Sequence, residues 1–125
     1  RLARLAGLEV DEFLRRVDAV NVSPVWLPSE KITRASLRRV GSIDQIRAMA
    51  ARRENVVCLG AVVAHALDAP VPRRPELFRY YDAERCWIVA PHPSGRSRWW
   101  NEPENARRAE AFWRSLLGWQ ERRTT

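Results

Sequence analysis

The chain has 125 residues, 46% of them hydrophobic, with six tryptophans and a net charge of +7 from 22 Lys+Arg against 15 Asp+Glu. That is one domain's worth of chain with apolar side chains for one core, which excludes a disordered segment. No apolar run approaches the roughly 20 residues needed to span a bilayer, which excludes a membrane-spanning helix.

No secretory signal pattern stands at the front, so a cytoplasmic protein is expected. Lys31 is the only lysine. The basic surplus is therefore arginine, which suits bidentate phosphate contacts and points toward nucleic acid, although a GC-rich genome raises arginine as well. Two cysteines, Cys58 and Cys86, are too few for an iron–sulfur cluster of about four ligands. Both fall in predicted strands as small buried residues. No cofactor and no metal are expected.

Arg1 to Ala6 reads as the end of a helix closed by Gly7. Val10, Phe13, Leu14 and Val17 recur at i, i+3, i+4 and i+7, an amphipathic helix. Asp18 to Val22, DAVNV, reads as a short strand containing Asn21 near its end. Ser23 to Ile32, with two prolines and a tryptophan, reads as an irregular loop. Arg34 to Arg39 predicts a helical turn ended by Gly41. Ser42 and Gln45 then form a capping-box pattern ahead of a buried stripe of Ile43, Ile46, Met49 and Ala50.

Asn55 to Gly60, NVVCLG, is a strand whose apolar run, Val56 to Leu59, is of the kind found in a parallel sheet covered on both faces. Ala61 to Leu67 continues as a helix carrying His65, an ordinary helix histidine on this reading. Asp68 to Pro75 is a proline-rich crossover with Arg73 and Arg74 exposed, and Leu77 to Tyr81 is a short strand or an extended segment. Cys86 to Ala90, bounded by Pro91, reads as a buried strand. Asn101 as N-cap, Pro103 in the first turn and Glu104 predict the start of a last helix. Its apolar face is Ala106, Ala109, Phe112, Trp113, Leu116 and Leu117; Arg107, Arg108, Glu110 and Arg114 face water. Gly118 ends it, with a frayed tail. Strands alternating with helices predict an α/β protein, a three-layer α/β/α sandwich with a mostly parallel central sheet.

Between the strand ending at Ala90 and the helix lies His92 to Arg98, a polar loop at a strand's carboxyl end, where α/β proteins place ligand sites. It holds an imidazole, two hydroxyls and two guanidiniums, with Trp99 and Trp100 next to it. Each has an ordinary reading: a solvated His92, solvated Arg96 and Arg98, and tryptophans that pack in a core.

The order of residues adds to this. HPSGRS, directly after a hydrophobic strand, resembles a signature loop of the uracil-DNA glycosylase superfamily. DAVNV resembles that family's strand ending in a base-reading Asn, and NVVCLGAVVAHAL resembles its central strand–helix unit. Together these cover most of the chain. The resemblance implies the family's sandwich as a single domain over 1–125, and a monomer that acts on double- or single-stranded DNA.

It also implies His92 as catalytic residue and Asn21 as base-binding residue. Ser94, Gly95, Arg96, Ser97, Arg98, Trp99 and Trp100 would then contact DNA. Arg96 falls at the wedge position, where many family members carry Leu. An Arg wedge is similar to the single-strand-selective branch and P-S-G to the mismatch-specific branch, so the subfamily stays open. The family's water-activating motif has no counterpart in this chain. Since the chain begins at Arg1 without Met, the expectation is that this motif and one strand precede it.

The implied chemistry suits the residues. Cleaving an N-glycosidic bond leaves negative charge on the departing base, which a donor at the base carbonyl stabilises. An amide can both give to and accept from a base edge. The activity expected is removal of uracil or a modified base, in repair or in defence against modified foreign DNA. A catalytically inactive nucleic-acid-binding module and a small-molecule nucleosidase are the alternatives.

Overall fold

The computed structural model describes residues 1–20, 33–40, 42–82, 86–92 and 98–124, with the backbone alone at Val40 and 118–124. It is a mixed helix and strand structure whose strands form a two-stranded parallel sheet. The chain divides into two compact units, Val20–Pro91 and Arg1–Ala19 with His92–Thr125.

The first of these holds the sheet. β1 (Asn55–Leu59) pairs in parallel with β2 (Cys86–Ala90), with Val57 opposite Ile88 and Leu59 opposite Ala90. Both strands are β-branched and apolar, and each ends at a residue that cannot continue it. After β2 that residue is Pro91. After β1 it is Gly60, at φ +107°, a conformation open in practice only to glycine, from which its N–H donates to Ala90 O at 2.8 Å. Trp87 and Val89 turn one face of β2 into the core, while Ile88 and Ala90 on its other face are also buried. β1 is covered less completely, with only Cys58 fully buried. Beyond β2, the Phe78 and Tyr81 N–H groups donate to Val89 O and Trp87 O, and Tyr81 makes a single antiparallel bridge. The predicted segment from Leu77 is thus an edge cover for β2.

Three helices close this core. α3 (Arg34–Val40) contributes Leu37, α4 (Ile43–Ala50) contributes Ile46 and Ala50, and α5 (Ala61–Ala66) contributes Ala64 and Ala66. Met49, expected in the buried stripe of α4, is 40% exposed. Ser42 is the N-cap of α4, yet its side chain makes no capping bond. A reciprocal cap instead starts α3. Ser36 N–H donates to Thr33 Oγ1 at 3.1 Å, and Thr33 N–H donates to Ser36 Oγ at 2.9 Å.

The second unit is helical. α1 (Leu2–Leu5) ends at Gly7, φ +75°, as expected, and α2 (Val10–Arg16) follows. The predicted stripe of α2 is corrected: Phe13 is buried beside Trp113, but Val10 and Leu14 are more than half exposed. Asp18, Ala19 and Val20, the described part of the expected DAVNV strand, form no strand, and Val20 is exposed.

α6 (Pro103–Thr124) buries Ala109, Phe112, Trp113 and Leu117, the predicted face. Both of its ends differ from expectation. Asn101 closes a 3₁₀ turn (Arg98–Asn101), and Glu102 C=O accepts the first helical bonds, from Asn105 and Ala106 N–H. Pro103 is therefore the first helical residue. At the other end the helix runs through Gly118 to Thr124, since one glycine costs a helix only about 1 kcal/mol against alanine.

Candidate functional site

His92 lies two residues beyond Ala90, the last residue of β2, and is exposed; Pro91 between them is buried. Its main chain is held from across the loop, where the Trp100 indole N–H donates to His92 O at 2.8 Å. Two groups pack on the Trp100 ring, and a third holds the main chain of Trp99. The Trp99 ring stands edge-on to it, with centroids 4.9 Å apart and planes at 87°. The Arg1 guanidinium lies 4.6 Å from the Trp100 ring centroid, in cation–π range. The Asn105 side-chain amide donates to Trp99 O at 2.9 Å, tying the 3₁₀ turn to the first turn of α6. The turn forms where it does because Pro103 cannot extend a helix backward through its own nitrogen, which leaves 98–101 to close on itself.

The structure thus brings together His92, Trp99 and Trp100, with the exposed Arg98 at the head of the same turn. Trp99 and Trp100 are both half-buried. Neither is fully buried, as a core position would be. Asn21 and Ser94, Gly95, Arg96 and Ser97 lie outside the described residues, as do the loop expected at 23–32 and Gly41. Among the described residues no group of three His, Cys, Asp or Glu side chains is placed to hold a metal ion, and no helix is long and apolar enough to cross a membrane.

No known protein family, curated protein or solved structure matches this chain. The family resemblance therefore rests on the residues of the loop, of DAVNV and of NVVCLGAVVAHAL themselves.

A second constellation, in the unit that holds the sheet, was not legible in the sequence. Asp68 accepts from Arg34 Nη2 at 3.0 Å through Oδ1 and from Arg38 Nη2 through Oδ2, with Arg47 Nη1 at 3.7 Å from Oδ2. Beside it Arg34, His65, Asp68, Ala69, Val71 and Arg73 line an open cleft of about 490 Å³. His65, expected to be an ordinary helix histidine, stands in this wall with Nε2 3.1 Å from Pro72 O. The only advance signal was the spacing of Arg34 and Arg38, one helical turn apart.

Proposed function

We propose that the protein is a DNA glycosylase of the uracil-DNA glycosylase type, which turns a uracil or modified base out of DNA and hydrolyses its N-glycosidic bond. The observation that carries this reading is the exposed His92 just past the carboxyl end of a buried parallel strand, its main chain anchored by Trp100. A catalytic donor needs this combination: a side chain open to substrate on a backbone that does not drift. On this reading the two observed strands are part of a larger, mostly parallel sheet within a three-layer sandwich.

In the reaction the bond from the sugar C1′ to the base nitrogen breaks, and its electron pair leaves with the base. Water adds its oxygen to C1′ and releases a proton to solvent, and the departing base anion takes up a proton in turn. His92 donates to the base carbonyl oxygen, where the charge collects, an electrostatic contribution of about 10²–10³-fold. Asn21 reads the polar edge of the flipped base through its amide. Arg96 enters the stack where the base has left. Arg98 holds a backbone phosphate, and the partly exposed Trp99 and Trp100 stack on bases.

The test is base release by the full-length protein, with any residues that precede Arg1, from uracil-containing single- and double-stranded oligonucleotides. His92→Ala is expected to slow release about 10²-fold or more. Its melting temperature should stay nearly unchanged, because the side chain is exposed. DNA binding without base release in the unaltered protein would leave only the alternative, a nucleic-acid-binding module. A fully active His92→Ala protein would remove the assignment of His92.

A further inference from the structure

Asp68 has a backbone that its side chain must justify. It follows α5 at the position where a helix commonly ends in glycine. Asp68 N–H donates to His65 O at 3.2 Å and Ala69 N–H to Ala64 O at 3.0 Å, the paired bonds of a Schellman cap. Its φ is +53°, the left-handed region that glycine occupies without cost. An aspartate there, one of the few non-glycine residues that adopt this conformation readily, places its carboxylate where it gathers Arg34, Arg38 and Arg47 from α3 and α4. All four side chains are a third or more exposed. Exposed ion pairs contribute little to folding, so stability is a weak reason for the arrangement. Three guanidiniums around one carboxylate leave excess positive charge, and Arg73 in the cleft wall adds to it.

We propose that this cleft, bordered by α3, α5 and the crossover at 69–73, binds a phosphate group. Arg34 and Arg73 supply the planar forks that match phosphate oxygens, and Asp68 acts as a positioning residue that holds the Arg34 guanidinium at the cleft. His65 adds an imidazole to the same wall, its Nε2–H donating to Pro72 O and Nδ1 remaining as its second polar atom. The cleft is open to solvent, with room for a phosphate group beside Arg34 and Arg73. The phosphate is either the terminal group of a small ester or a diester in a nucleic-acid backbone; the chemistry of recognition is the same.

The experiment titrates the full chain with two probes, inorganic phosphate followed by calorimetry and a short oligothymidylate followed by fluorescence anisotropy over a range of salt. Arg34→Gln and Arg73→Gln are each expected to weaken binding about tenfold, the scale of one charge-assisted hydrogen bond. With the oligonucleotide each should also lower the salt slope by about one. Arg74→Gln removes the same charge from a neighbour that does not line the cleft and is expected to leave binding within about twofold, since only a screened surface charge is lost. Arg73 stands outside the Asp68 cluster, so its variant reports on binding even if Arg34→Gln disturbs the fold. Losses with inorganic phosphate alone identify a small phosphate ester, and losses with the oligonucleotide alone identify backbone diesters. If neither probe responds to Arg34→Gln or Arg73→Gln, or if Arg74→Gln costs as much as Arg73→Gln, the proposal is overturned. Base release is not read in this experiment, so it stands or falls apart from the glycosylase reading.

Discussion

The Trp100 indole N–H donates to the main-chain oxygen of His92 at 2.8 Å, across eight residues of chain. On the proposed reading Trp100 acts as a positioning residue for His92. Trp100→Phe keeps an aromatic ring against Trp99 and Arg1 but removes the donor. Base release is expected to lose about tenfold or more in kcat with KM little changed, because a small misplacement of a catalytic group is costly. The melting temperature should fall only slightly, by the roughly 1 kcal/mol of one hydrogen bond. An unchanged kcat would reduce Trp100 to a packing residue.

Asn21→Asp removes the amide donors and keeps the size of the side chain. Competition between uracil, thymine and cytosine substrates is expected to show a changed order of preference with DNA affinity altered much less. If the order stays the same, Asn21 does not read the base.

Arg96 and Arg98 should separate by substrate. Only a duplex needs its vacated stack filled, so Arg96→Ala is expected to cut activity on double-stranded DNA and largely spare single strands. Losing a phosphate contact weakens both alike, so Arg98→Ala should reduce both and lower the salt slope by about one. Equal losses on the two substrates for Arg96→Ala would reassign it to the backbone.

Burial pushes the Cys58 thiol up to about 11 from an ordinary value of 9.0. Between about pH 9 and 11 the unfolded chain therefore sheds this proton while the folded protein keeps it. The unfolded state binds fewer protons in that window, so the contribution of Cys58 to stability is present below it and is lost as pH rises through it. Denaturant unfolding across this range is expected to show a steeper fall for the natural protein than for Cys58→Ala. Parallel curves would mean that the thiol titrates alike in both states.

The two strands and the last helix were readable because their signals are local and strong. CWIVA and NVVCL are apolar, β-branched runs with a proline or a glycine at the end, and Ala109, Phe112, Trp113 and Leu117 repeat at helical spacing; almost any partner surface would bury them the same way. Weaker stripes did not carry that far. α2 formed where expected, yet Val10 and Leu14 stayed exposed, because periodicity names a face without supplying a neighbour to cover it. The start of α6 moved from Asn101 to Pro103 because a 3₁₀ turn, tied down by the Asn105 amide, took the residues that a capping box would have used.

On the functional side the sequence by itself determined the HPSGRS motif, its place after a strand, and the net positive charge of the protein. Only the tertiary structure decided that Trp100 reaches back to His92, and that Asp68 gathers arginines lying 34 and 30 residues earlier in the chain. Such contacts have no period and no spacing rule. They exist because the backbone, folded by its apolar runs, happens to bring polar ends of long side chains within hydrogen-bond reach, and a sequence read in one dimension contains no term for that distance.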